Sequence, residues 1–270
     1  MSSRSGTAYP SCFSGIQAHI PFPFLKRKLD VFLRRGLDPE IYFNYSALKR
    51  MPLEDFTSLA TVLEENDRNV TIHGPFYDLS PGALDPGFRA LTLQRMSLAL
   101  ERAALFTPEA VVFHPGYDPL RFGEHRKAWL KNSLRTWRNL LPHSKNLPST
   151  WILLENIFEK DPSSLAELLE HLPSPPFGFC FDTGHFQVFS DVSLASWIET
   201  LGPWLREVHL HDNAGGGDDH LPPGRGTFDF DALFGHLALL PRKIIGTVEA
   251  HNEEDLMESL GYLRSHGSAS

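Results

Sequence analysis

The stretch FGFCFDTGHFQVFSDVSLASWIETLGPWLREVHLHD (177–212) sets an apolar run, an amphipathic run and a second apolar run in direct succession. FGFCFDTG (177–184) and EVHLHD (207–212) have strand length and end in polar, chemically capable groups. SLASWIETLGPWL between them repeats its apolar residues at three- and four-residue spacing, as a helix with one buried face does. Two strands joined through a helix make a parallel pair. The same unit recurs along the chain: strands are read at 12–20, 40–44, 69–74, 110–115, 150–156, 177–184, 207–212 and 243–251. Each is followed by a helical pattern, such as FLKRKLDVFLRRG closing on Gly36. Eight strand and helix pairs without a shift of composition predict an α/β fold, a single (β/α)8 TIM barrel over 1–270. A doubly wound open sheet is the alternative.

Bulk composition narrows the function classes. At 270 residues, 41% hydrophobic and 21% charged, the chain has ordinary globular composition. No apolar run reaches the ~18 residues that a membrane helix needs. The N-terminal MSSRSGTAYPSCF lacks the continuous apolar segment of a secretory signal, which predicts a cytoplasmic protein without a membrane partner. Cys12 and Cys180 are the only cysteines, too few for a disulfide framework, and read as buried thiols. A net charge of −8 gives no electrostatic reason to bind a polyanion.

In a barrel of this kind the active site lies at the C-terminal strand ends and in the loops that follow. The metal-capable side chains gather there. His73, His114, Glu155, Asp182, His209 and Glu249 stand near strand ends, His185 one step into its loop, and Asp218 and His220 in the loop after the seventh strand. His125, His143, His171 and His236 fall on the helical stretches instead. A lone strand-end histidine is ordinarily a hydrogen-bonded rim group. Glu155 in ILLENIF and Glu249 in IIGTVEAH are different, because a carboxylate buried in an apolar run without a partner is costly. Imidazoles together with carboxylates suit zinc or manganese, with magnesium or iron as alternatives.

The motifs HGPF (73–76), FHPG (113–116), LLEN (153–156), FDTGH (181–185), HLHDN (209–213), DDHLPPGRG (218–226) and VEAH (248–251) are individually weak. Their order and strand placement resemble the xylose-isomerase-like barrels, which include endonuclease IV and sugar isomerases and epimerases. The isomerase branch implies one metal held by Glu155, Asp182, His209 and Glu249, with the two glutamates handling protons and His185 touching substrate. The endonuclease IV-like branch implies a three-metal cluster, so two or three divalent ions are expected here. His73, His114 and Glu155 would surround one, and Glu155 would bridge to a second on Asp182, His209 and Glu249. His185, Asp218 and His220 would hold a third. All of these residue types are in place, which favours hydrolysis of a phosphoester by a metal-activated water, with Glu155 or Glu249 steering protons. A sugar (phosphate) isomerase or epimerase using Glu155 and Glu249 around one metal is the alternative. A non-catalytic sugar- or metal-binding barrel is a third reading.

The loop HGPFYDLSPGALDPGFR departs from the endonuclease pattern, carrying Asp78 and Asp85 in place of an evident basic or base-wedging surface. A small phosphoester or sugar is therefore the expected partner, and duplex DNA is disfavoured. His211, Asn156, Arg225, Phe76 and Tyr77 are candidate substrate contacts. Strand alternation puts His211 on the side of His209, to line the pocket or support a ligand. Asn156 and Asn213 read as loop-orienting amides, and Phe76 and Tyr77 as stacking or shielding rings. Arg89 and Arg225 read as guanidinium clamps for a phosphate or as surface groups, and His19 as a rim or pocket histidine. The glycines 215–217 give the following loop freedom to fold Asp218 and His220 over the mouth.

Overall fold

Alternation along each strand divides side chains between two destinations, the helical layer outside and the interior of a closed sheet. The computed structural model describes residues 9–267. Residues 1–8, part of the stretch read above for a secretory signal, lie outside the described residues. Eight parallel strands follow one another in chain order around a closed barrel. They are β1 (Phe13–Pro21), β2 (Asp38–Tyr42), β3 (Thr71–His73), β4 (Ala110–Phe113), β5 (Trp151–Glu155), β6 (Phe177–Asp182), β7 (Leu205–Leu210) and β8 (Ile244–Val248). β8 pairs with β1 and closes the ring, so the open-sheet alternative falls. Among the described residues no helix is long and apolar enough to cross a membrane.

The main apolar core lies between sheet and helices, where Phe22, Phe43 and Phe56 pack on one side and Trp137 on Phe177 on another. The barrel interior is a separate, smaller world. A small apolar group of Ala110, Val112, Leu153 and Cys180 occupies part of it. Gln17, Glu40, Thr71, Glu207 and Thr247 form a buried polar girdle. Thr71 Oγ1 donates to Gln17 Oε1 at 2.5 Å, and Thr247 Oγ1 donates to Glu207 Oε1 at 2.6 Å. Two residues further along the same strands stand His19, Tyr42, His73, His209 and Glu249, so the period of two carries the girdle upward into the mouth.

Five of the strands, β3, β4, β5, β6 and β8, are shorter than their apolar runs suggest. β6 ends at Asp182 rather than at 184, because the Asp182 carboxylate accepts the His185 backbone N–H at 2.7 Å and caps a helix, Thr183–Phe189. His185 therefore sits on the first turn of that helix instead of in an irregular loop. The helical pattern SLASWIETLGPWL forms one helix, Leu194–Leu201, capped by Ser193, and the helix Thr183–Phe189 before it is not expected from the sequence pattern.

Candidate metal centre

Glu155, at the end of β5, is 1% exposed and divides its two oxygens between two sides of the mouth. Oε2 faces His73 Nε2 at 3.1 Å and His114 Nε2 at 3.2 Å. Oε1 faces His185 Nδ1 at 3.2 Å and His209 Nδ1 at 3.4 Å. Burial alone would raise its carboxyl, but the neighbouring His114 and His209 hold it well below the usual carboxylate range. Burial likewise works against a charge on His73, yet the hydrogen bond and charge of Glu155 push that imidazole up to about 9.

His209, fully buried at the end of β7, fixes the second group of ligand atoms. Its Nε2 lies 3.3 Å from Glu40 Oε2. In the neutral ring, with its proton on that nitrogen, Nδ1 carries a lone pair. Nδ1 is buried and has no hydrogen-bond partner, yet it faces Glu249 Oε1 at 3.3 Å, Glu155 Oε1 at 3.4 Å and Asp182 Oδ2 at 3.6 Å. An imidazole lone pair among three carboxylates is a donor set that a divalent cation completes, and the pair Glu40–His209 has the form of a carboxylate orienting a metal-ligating histidine. Glu40 also accepts from His19 Nδ1 at 2.8 Å. Below it Glu207 is pushed up to about 8 by burial and by the charge of Glu40, so it stays a neutral acid at neutral pH.

The loop after β7 brings the third group. Asp218 Oδ2 lies 3.2 Å from His220 Nε2 and 3.4 Å from His185 Nε2. His220 Nδ1 in turn approaches Glu249 Oε2 at 3.4 Å. Burial opposes the charge on His220, but Asp218 pushes its imidazole up to about 9. His211 lies against this group, its ring stacked on His220 at 4.0 Å and 5°. Lone pairs in parallel ring planes do not meet at one point, so these two rings do not share a cation in this arrangement. His211 instead donates through Nε2 to Asp182 Oδ2 at 2.9 Å. Other groups of ligand atoms that lie within reach of one another include His73, His114 and Glu155; Glu155, Asp182 and His209; His19, Glu40 and Glu249; and Glu40, Glu207 and His209.

The candidate substrate contacts separate. Phe76 stacks on His114 at 4.5 Å and on Tyr42 at 5.2 Å, inside the mouth, whereas Tyr77 is 73% exposed. Asn156 turns inward, bonding both to the Asp182 carbonyl at 3.0 Å and to its N–H at 2.8 Å, so it positions a strand end. Asn213 donates to the Gly184 carbonyl at 2.9 Å and ties the loop down. The clamp readings of the two arginines need correction. Arg225 is exposed and ion-paired with Glu258, and Arg89 donates to the Ala83 and Leu84 carbonyls at 2.6 and 2.9 Å. Both guanidinium groups already have partners outside the cluster. Sequence reading overlooked Glu40 and the girdle. A signal was present, since Gln17, Glu40, Thr71, Glu207 and Thr247 each stand two positions before a residue that reaches the mouth.

The sequence profile of one family, described as the xylose isomerase-like TIM barrel, matches residues 38–266. Among solved structures, a D-tagatose 3-epimerase-like protein aligns with a TM-score of 0.80 at 24% identity, over 93% of this chain and 96% of its own. The TTHB071 protein of Thermus thermophilus, soaked with ZnCl2, aligns with a TM-score of 0.74 at 27% identity, over 94% of this chain and 98% of its own. Endonuclease IV of the same organism aligns with a TM-score of 0.69 at 20% identity, over 94% of this chain and 99% of its own. The likeness to the epimerase-like protein and to endonuclease IV is a likeness of fold.

Proposed function

The chain belongs to the xylose isomerase-like TIM barrel family, and from that membership and the geometry of its mouth we propose that it is a divalent-metal-dependent phosphoesterase acting on a small molecule or nucleic-acid component. The observation that carries this reading is the division of Glu155 between two sets of histidines. A single-metal isomerase needs only Glu155, Asp182, His209 and Glu249. This mouth adds His73 and His114 on one side and His185, Asp218 and His220 on the other. Divalent ions held there would activate a water and offset charge on the attacking and leaving oxygens of a phosphoester.

The chain's own groups divide the remaining work. Glu155 holds the two sides in register through its separate oxygens. His211 fixes the Asp182 carboxylate, and Glu40 fixes His209. Of the two glutamates read as proton carriers, Glu249 is 8% exposed and Glu155 only 1%. Glu249 is therefore the one within reach of a substrate, with His19 Nδ1 at 3.3 Å to pass a proton on. Phe76 walls one side of the mouth.

Elemental analysis of metal-replete protein, run beside a panel of phosphoesters and ketoses, tests the reading. Two to three ions per chain with turnover of a phosphomonoester or diester support it. One tight ion with ketose conversion overturns it in favour of an isomerase or epimerase. Unchanged turnover after Glu249→Gln supports a barrel that binds without catalysis at this site. His220→Ala should lower the metal content by one ion and cripple hydrolysis while sparing any isomerisation.

A further inference from the structure

A cleft of 480 Å³ opens sideways from the mouth, between the helix Phe22–Arg35 and the first turn of the helix Glu253–Gly267. This volume suits a small-molecule group. His19, His220 and Glu249 stand at its inner end, so the cleft is continuous with the cation-binding cluster. Its walls change character at once: Phe24, Val31, Leu256 and Met257 line it. Arg35 lines it as well, donating to Glu253 Oε1 at 2.8 Å and to Met257 Sδ at 3.4 Å. A mouth built of carboxylates and imidazoles thus joins a side chamber whose wall is mostly hydrocarbon.

The ligand that matches both parts is amphiphilic. Lys28, His251 and Asn252 also reach the cleft, but a sugar ring or nucleotide filling the chamber would set most of its hydroxyl or phosphate oxygens against hydrocarbon, and that is penalised. An aryl or branched-alkyl group would lose apolar surface to the wall and gain from it. Phe24 is 54% exposed on this wall, an aromatic face that such a group would cover. We propose that this cleft is the apolar subsite of the metal mouth, and that the substrate is a small phosphoester whose organic part is an aryl or branched-alkyl group. The substrate class rests on the phosphoesterase reading, while the cleft itself does not.

The chain has four methionines, and among the described residues Met257 is the one that lines the cleft. Protein labelled with 13C-methyl methionine, with the Met257 resonance assigned from Met257→Leu, is titrated in its metal-loaded form with methylphosphonate and phenylphosphonate. Phenylphosphonate should bind about tenfold tighter or better and shift the Met257 methyl, and Val31→Trp should abolish the preference. Affinities within about twofold of each other, or a Met257 methyl that does not move at saturation, overturn the proposal. Should neither phosphonate bind, the phosphoesterase reading fails, and benzyl alcohol added to metal-free protein decides the cleft alone. A shift at Met257 then supports the apolar subsite, and no shift overturns it.

Discussion

His209 shows how a residue readable in the sequence depends on one that is not. Its place at the end of an apolar strand marks it as a ligand candidate, but the group that orients it, Glu40, lies 169 positions away and reads as the first residue of an ordinary strand. Only closure of the barrel brings them to 3.3 Å. If Glu40 keeps the proton of His209 on Nε2, then Glu40→Gln, which keeps the shape and removes the charge, should weaken metal binding about 10- to 100-fold. A chelator-dye competition measures this, with circular dichroism to verify the fold. Unaltered affinity would mean that Glu40 serves only the girdle. The same dependence on distant partners explains the arginines. Arg225 stands in a loop rich in candidate ligands, and the sequence does not reveal that Glu258 on a later helix engages it.

Strand order and the strand-end positions of the candidate ligands were legible because β units announce themselves by length and apolar content, while helix starts inside those runs were not. Asp182 fits the end of a strand and the cap of a helix equally well, and only the His185 N–H at 2.7 Å decides between them. The loop after β7 teaches a similar lesson. The glycines 215–217 suggest a loop placed by its freedom, but Asp212 is what places it. Its carboxylate accepts the N–H groups of Asn213, Gly224, Gly226 and Phe228 at 2.9, 3.0, 2.9 and 3.1 Å. Asp212 also bridges Leu221 across the loop. A Cβ at Gly226 would fall 2.2 Å from the Asn213 carbonyl oxygen, so glycine is required there. Asp212→Ala leaves those donors without their acceptor, and should destabilise the protein by roughly 3 kcal/mol. Limited proteolysis should then cut within 214–217, and elemental analysis should find one ion lost while the others stay. Intact loops and full metal content in Asp212→Ala would leave the glycines as the organising feature after all.

The barrel as a unit balances two sets of protonation equilibria of opposite sign. His73 and His220 are both raised from 6.5 to about 9. Their contribution to the metal-free fold is complete below pH 6.5 and is lost as pH rises through 9. Glu207, raised from 4.5 to about 8, keeps its proton where the unfolded chain has lost it, so it too costs stability as pH rises from 4.5 through 8. Glu155 and Asp182, held well below 4.5 and 3.8, act at the other end, contributing above those values and failing as pH falls. The metal-free protein should therefore be most stable near pH 4.5, and its Tm should fall above that value, most steeply between about 6.5 and 8, where Glu207, His73 and His220 act together. Bound ions reverse the consequence, because ligation requires neutral imidazoles and so displaces the protons of His73 and His220. Metal affinity then rises over the interval in which the metal-free fold weakens, and the difference in Tm between loaded and chelator-treated protein should widen from pH 6.5 to 9. Calorimetry of metal binding near pH 7.5 should register proton release in the same samples. A Tm difference that narrows with rising pH, or binding without proton release, would mean that these histidines are neutral in the metal-free mouth and that the buried carboxylates balance their charge in another way.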